Sequence, residues 1–361
     1  MSETISLQQR IIERIQRDGP LPFADYMRMA LYEPGYGYYV TGPAHMGWSG
    51  DYFTSSDVSP LFAHCLGRQL VRLWEQLDQP SPFIVLEQGA GRGEIARAVR
   101  AWFAQEHPTI ALDYHTTDIH AGQDALTMLD IRPHVLFSNE LVDAFPVHVL
   151  QKYEGRLYEV YVDVHHGRLH EVLDTPEHPE VALYLDTYAP SWHDYPDGWR
   201  AEVNLDALRW LRQSATVLAP HGFLLTLDYG DEADALYTES RPRGTLACYY
   251  QHQFTERPLA RPGEQDITAH VNFTALLDEG KRHDLSLHTL TTQRAWLEQM
   301  GIQEELAQIR ARDFAALDSD RASDKGQVAL LQWYNLRQRV STLLDPVGMG
   351  NFKVLLLRAS R

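Results

Sequence analysis

The chain has 361 residues with 32 Lys or Arg against 49 Asp or Glu, a formal net charge of −17 with histidine neutral. A basic grip on nucleic acid is therefore not expected, since phosphate contacts need clustered cations. A composition 44% apolar and 22% charged excludes disorder and collagen-like structure, and the length suits one large domain or a domain with sizeable insertions.

From Met1 to Gly19, the apolar Leu7, Ile11, Ile12 and Ile15 are interspersed with Arg10, Glu13, Arg14, Arg17 and Asp18. That is the pattern of an amphipathic helix and not the apolar core of a signal peptide. Cys65 and Cys248 lack a metal-clamping spacing and are too few for a disulfide framework. No stretch has the length and apolarity to span a bilayer. The expectation is a cytoplasmic protein without a membrane contact.

Gly19-Pro20-Leu21-Pro22 punctuates the chain, and a second helix is predicted from Phe23 to about Leu31. Tyr32 to Asp57, rich in Gly, Tyr and Ser, reads as a long ordered loop of the kind that covers a binding site. Leu61, Phe62, Leu66, Leu70, Leu73, Trp74 and Leu77 then recur at helical spacing. Next comes Phe83-Ile84-Val85-Leu86, a glycine cluster, and a helix with Ile95, Val99, Trp102 and Phe103 on one face, the start of a βαβ unit. Further strands are predicted at Leu112 to Thr117, Val135 to Ser138, and Phe223 to Asp228 after a helix from Leu205 to Leu218. Leu285 to Leu290 and Lys353 to Leu357 read as the last two strands, with helices at about Thr292 to Met300 and Val328 to Leu343 between them.

This alternation predicts an α/β fold with a mainly parallel sheet and helices on both faces. Two stretches interrupt it. Gln151 to Pro196 suggests a hairpin and a short excursion, and Asp231 to His270 an inserted loop with a short helix. The expected organisation is an N-terminal part, residues 1–80, and a main domain, residues 81–361, with insertions at about 151–200 and 231–285. The insertions offer surface for a homodimer.

Leu86-Glu87-Gln88-Gly89-Ala90-Gly91-Arg92-Gly93-Glu94 sits where a strand meets a helix, the place where open α/β sheets bind nucleotides. Gly89, Gly91 and Gly93 let the backbone pass close to a ligand, and the free N–H groups of the following helix suit an anionic group. A dinucleotide fingerprint would place its third glycine at Glu94, so the spacing instead resembles the cofactor loop of class I S-adenosylmethionine methyltransferases. Such a site also needs a carboxylate after the second strand for the ribose hydroxyls; Asp118 is the candidate and Asp113 the reserve, the other reading of Asp118 being a helix cap or surface acid.

More motifs then align. They include Phe23-Ala24-Asp25-Tyr26-Met27, Ala30-Leu31-Tyr32-Glu33-Pro34 and Gly50-Asp51-Tyr52-Phe53-Thr54-Ser55. Asn139-Glu140-Leu141-Val142-Asp143-Ala144-Phe145-Pro146, Leu227-Asp228-Tyr229-Gly230, Asp266-Ile267-Thr268-Ala269-His270-Val271 and Met349-Gly350-Asn351-Phe352 follow in order. Together they resemble the MidA-type family of S-adenosylmethionine-dependent methyltransferases, whose mitochondrial member is a complex I assembly factor that dimethylates an arginine of a complex I subunit. The resemblance implies a Rossmann-like methyltransferase fold with S-adenosylmethionine as cofactor, a protein substrate that is basic where it binds, and a segment closing over the cofactor. In that segment Asp51, Thr54 and Ser55 are further cofactor-binding candidates. The chain departs from the family at Ser56, Asp57 and Asn272, and in lacking a Ser-Pro-x-Leu run after Asp118.

Asn139-Glu140 ends a predicted strand at the ligand-binding edge, and Asn139 is counted among the cofactor-binding candidates. A guanidinium is a poor nucleophile because it is cationic and delocalised. A carboxylate pair holding it bidentately localises the charge on the bound nitrogens and leaves another nitrogen to react. Glu140 and Asp143 suit that role; capping of the next helix is their other reading. His270 and His252 match family positions, and His270 is the third catalytic candidate, with a structural hydrogen bond as its alternative. His165-His166 reads as a surface turn, and no histidine forms a metal motif. Three readings stay open: an arginine-directed protein methyltransferase, a methyltransferase of the same fold acting on another nitrogen or oxygen, and a non-catalytic assembly factor.

Overall fold

The computed structural model describes residues 6–41, 59–119, 130–251, 253–314 and 324–360. It opens with α1 (Leu7–Asp18), β1 (Leu21–Pro22) and α2 (Phe23–Tyr32). The Ser6 hydroxyl accepts from the Gln9 N–H to cap α1, whose apolar face is buried as its periodicity requires. After α3 (Pro60–Gln76) come β2 (Phe83–Gln88), α4 (Glu94–Glu106), β3 (Leu112–Thr117) and β4 (Val135–Asn139). The middle of the chain forms β5 (His148–Tyr153), β6 (Arg156–His165), β7 (Arg168–Asp174), α5 (Pro179–Tyr188), β8 (Arg200–Val203), α6 (Leu205–Val217) and β9 (Phe223–Asp228). Then follow β10 (Gly230–Asp231), α7 (Ala233–Leu236), β11 (Ala247–Tyr250), β12 (Gln253–Thr255), β13 (Asp266–Thr268), β14 (Val271–Asn272) and α8 (Phe273–Arg282). The chain closes through β15 (Leu285–Thr292), α9 (Gln293–Gln299), α10 (Ile302–Asp313), α11 (Asp324–Leu343) and β16 (Lys353–Ala359).

The main sheet runs in the order β15-β16-β9-β4-β2-β3. Strands β3, β2, β4 and β9 are parallel, and β16 lies antiparallel between β9 and β15. Alternate residues serve opposite faces. Val85, Val135, Phe137 and Leu225 pack toward α3, α4 and α9 to α11, while Leu86, Leu136 and Leu224 pack toward α6 and α8. Burial on both sides explains why β4 and β9 read as continuous apolar runs instead of alternating ones. This is the expected Rossmann-like α/β arrangement.

The region after β4 holds more than a hairpin. Strands β5, β6, β7 and β8 form an antiparallel sheet that also takes in β1, with Leu21 paired to Val162. Ile11, Ile15, Phe23 and Met27 share one core with Val149, Val160 and Val162. The N-terminal helices thus pack on the first insertion, and residue 80 is not a boundary of packing. The departure at Asn272 has a local reason: its Oδ1 accepts from the Ala275 N–H to cap α8 while its amide donates to the Tyr184 hydroxyl at 3.0 Å, a donor that Asp lacks. Among the described residues no helix is long and apolar enough to cross a membrane.

Candidate active site

The chain leaves β2 for β3 on one side and returns to β4 on the other, so the connections part at the carboxyl ends of β2 and β4 and leave a crevice there. Gly89, Gly91 and Gly93 turn the chain from β2 into α4, all in the left-handed region (φ 72°, 52° and 69°) that other residues adopt at a cost. A Cβ at Gly89 would come within 2.8 Å of Leu141 Cδ1, the end of a side chain that would have to shift, so the backbone conformation is the firmer reason for glycine there. The loop is pinned to β3: the N–H groups of Gly89 and Ala90 donate to Thr117 O at 3.0 and 3.2 Å, and the Gly91 N–H donates to Asp118 Oδ2 at 2.8 Å. Asp118 therefore stands at the end of β3 beside the loop. Asp113 lies five residues back along the strand, roughly 16 Å at 3.3 Å per residue, and is paired with His115 on the surface.

A cavity of about 640 Å³ opens over these strand ends. Gln88, Gly89, Gly91, Thr117 and Asp118 line it from one side and Glu140, Leu141, Ala144, Phe145 and Pro146 from another. Tyr32, Tyr39, Arg28 and Trp210 complete its walls. Trp210 is oriented by its indole N–H, which donates to Gln88 Oε1 at 2.6 Å, and by an edge contact with Phe145. The volume suits a ligand of nucleoside size, and the glycine cradle leaves room for a backbone approach that side chains would block.

The turn after β4 carries the acidic motif. Glu140 has φ 49°, an uncommon conformation for a non-glycine residue, and is held in it by its N–H donating to Leu227 O at 2.8 Å and by the Asn139 amide donating to Glu140 Oε1 at 3.1 Å. Asp228, fully buried at the end of β9, accepts through Oδ2 from the N–H groups of Leu141, Val142 and Asp143 at 3.2, 2.9 and 3.3 Å. Burial, then the nearby Asp143 charge, pushes the Asp228 carboxyl well up from its usual range, and the N–H donors oppose this. Asp143 is itself buried; burial raises its pKa, while the Tyr229 hydroxyl donating to it acts the other way. Among the described residues its Oδ1 has no hydrogen-bond partner.

The fold thus brings Gly89, Gly91, Asp118 and Glu140 to one cavity, with Gly93 ending the loop at the start of α4. Asn139 is buried next to Glu140, and Asp143 is buried beside Tyr229 and is not among the residues that line the cavity. His270 does not join them. Its ring packs edge-on against Tyr229 at 5.5 Å, beside a small void lined by Glu202 and Thr245, and burial lowers its pKa to about 4. Asp51, Thr54, Ser55 and His252 lie outside the described residues. Tyr32, Tyr39, Trp210 and Asp228 are the participants that sequence reasoning passed over. The signal for Asp228 was present: a carboxylate closing an otherwise apolar buried strand needs donors, and a tight turn supplies them.

If Asp228 holds the acidic turn, Asp228→Ala should leave three N–H groups without an acceptor and lower unfolding free energy by about 2 kcal/mol or more. Asp228→Asn, which keeps an acceptor oxygen, should lose clearly less. Equal losses by chemical denaturation would contradict the anchoring role.

Comparison with known proteins agrees with this geometry. A family model described as an S-adenosyl-L-methionine-dependent methyltransferase matches residues 65–125 and 122–291. The protein arginine methyltransferase NDUFAF7 homolog, mitochondrial, of Drosophila melanogaster is 28% identical over 74% of this chain and 68% of its own length. Its Rattus norvegicus counterpart, protein arginine methyltransferase NDUFAF7, mitochondrial, is 26% identical over 95% and 81%. A Burkholderia thailandensis protein described as a methyl transferase, solved with S-adenosyl-homocysteine bound, superposes with a TM-score of 0.83 at 27% identity, covering 98% of this chain and 92% of that one. The expected cytoplasmic location is overturned by the first two, which are mitochondrial proteins by name; charge and cysteine count carry no address that could have distinguished the compartments. The chain belongs to the S-adenosyl-L-methionine-dependent methyltransferases, with S-adenosyl-L-methionine as its cofactor.

Proposed function

We propose that the protein methylates an arginine side chain of a protein substrate, and that the glycine loop and Asp118 hold the cofactor while Glu140 and Asp143 receive the guanidinium. The observation that carries this reading is the Asp143 carboxyl: 5% exposed, one oxygen without a hydrogen-bond partner among the described residues, and three residues along the turn from Glu140, which lines the cavity. A buried carboxylate in that condition is stabilised by a cation with several donors, which a guanidinium is and a neutral nucleophile is not. The names of the mitochondrial relatives support the same substrate class.

Bound S-adenosyl-L-methionine supplies an electrophilic methyl on a sulfonium. The chain's own residues do the rest by positioning. Glu140 holds the guanidinium at the cavity wall in a conformation fixed by Asn139 and the Leu227 carbonyl, so little ordering remains when substrate arrives. Pairing with carboxylates concentrates the positive charge on the bound nitrogens and leaves another nitrogen with more of its lone pair. Phe145, Pro146 and Trp210 exclude water from the same space. The substrate is then cationic where it binds, which suits the acids of the cavity. In this reading His270 orients Tyr229 from behind and takes no proton, since a ring with its pKa near 4 stays neutral at working pH.

Asp118→Ala should weaken cofactor binding by about 1.5 to 3 kcal/mol, the range for hydrogen bonds to a charged group, and Asp113→Ala should leave it unchanged. The reverse pattern in calorimetry would assign the ribose to the wrong acid. Glu140→Gln keeps shape and removes charge. Turnover on an arginine-containing peptide should fall at least tenfold while cofactor affinity holds, and the peptide with lysine in that place should not react, for want of a planar fork. Full activity of Glu140→Gln, or equal reaction of the lysine peptide, would remove the arginine reading.

A further inference from the structure

A second buried carboxylate lies close to the first. Asp266, on β13 opposite Tyr249, is 3% exposed and accepts a hydrogen bond from the Tyr39 hydroxyl at 2.7 Å. Three residues later the Ala269 N–H donates to the Asp143 carbonyl at 2.9 Å, which draws the end of β13 against the acidic turn. The two carboxylates act on the same phenols: the charges of Asp143 and Asp266 both oppose ionisation of Tyr32, Tyr229 and Tyr249. Tyr32 and Tyr39 are stacked at 5.6 Å between centroids, with Tyr32 tied by its hydroxyl to the Ala144 carbonyl at 2.9 Å, and both line the main cavity. The tyrosine pair is thus a wall with the cavity on one side and the carboxylates on the other. Tyr39 both lines the cavity and donates to Asp266.

We infer that Asp266 is a substrate-binding residue, and that the Tyr39 hydroxyl occupies its carboxylate until the guanidinium displaces it and takes up a position between Asp266, Asp143 and the tyrosine rings. Carboxylates set among aromatic faces suit a planar cation on two counts, bidentate hydrogen bonding and attraction to the ring faces. A phenol is a suitable stopper: its bond to the acid is a neutral one, which a charged donor exceeds about twofold in strength. The device would also favour arginine over an uncharged nucleophile, since only a cation repays opening the Tyr39 bond. This inference rests on the arginine reading above and names its second acid.

The test uses Nα-acetyl-arginine methylamide and its citrulline counterpart, titrated by NMR into the full chain saturated with S-adenosyl-homocysteine. The unaltered chain should bind the arginine probe at least tenfold more tightly than the citrulline probe. Asp266→Asn should cut the arginine affinity at least tenfold, and Tyr39→Phe, which removes the stopper, should raise it about threefold, with S-adenosyl-homocysteine affinity the same in all three. No preference for arginine in the unaltered chain would overturn the arginine reading itself. Preference kept in full by Asp266→Asn would overturn the role of Asp266 alone. Should Asp266→Asn fail to bind S-adenosyl-homocysteine, Tyr39→Phe decides: tighter arginine binding supports the inference, and equal or weaker binding overturns it.

Discussion

The three hydrogen bonds from Leu141, Val142 and Asp143 to Asp228 connect the sheet to the chemistry. Backbone N–H groups in a turn beneath a cavity have no water to satisfy them, and leaving one buried and unpaired costs about 1 to 3 kcal/mol. Asp228 meets that demand from the neighbouring strand. The turn can then stay tight enough to hold Glu140 in a left-handed conformation at the cavity wall. Strand β9 has to lie beside β4 for this, so the parallel order of the sheet is part of the site and not only its support.

Charge is layered around the cavity. Acids lie inside it and beneath it: Asp118, Glu140, and then Asp143 and Asp266 behind the tyrosine wall. Arginines also line it, each paired with an acid, Asp206 taking both Arg28 and Arg209. Arg14 bonds Asp25 at 2.9 Å and Arg28 bonds Asp206 at 2.8 Å, the latter tying α2 to α6 across the cavity. With Arg14, Asp25 and Arg28 a third to a half exposed and only Asp206 more buried, these pairs contribute little to stability. Their consequence is positional: Asp25 and Asp206 hold the arginines at the cavity wall.

Much of this was readable from residues alone, for reasons of range. Strands β2, β4 and β9 are buried on both faces, so their apolar runs are continuous and bounded by glycine or acid, and β3, β15 and β16 fall where the alternation required them. The glycine loop is local and its spacing carries its own meaning. The antiparallel sheet was seen only as a hairpin, because β1 is two residues ending in proline and finds its partner at Val162 from far away in the chain. Helix α10 buries only Ile302 fully, so no apolar stripe marked it. Asp266 and Tyr39 sit in motifs that sequence comparison picks out, yet their bond spans 227 positions, and no spacing rule reaches that far. His270 neighbours the motif in sequence, but the residues between β13 and β14 place its ring against Tyr229 and outside the cavity lining.

As an arginine methyltransferase, the protein transfers methyl groups from S-adenosyl-L-methionine to guanidinium nitrogen. Protein from the source organism, depleted of this enzyme and then incubated with the purified chain and methyl-labelled S-adenosyl-L-methionine, can be hydrolysed to amino acids and separated. Label is expected in methylated arginine, and none when the chain carries Gly89→Val. Label in methyl-lysine, in a methyl ester or in a small molecule, with none in arginine, would contradict it.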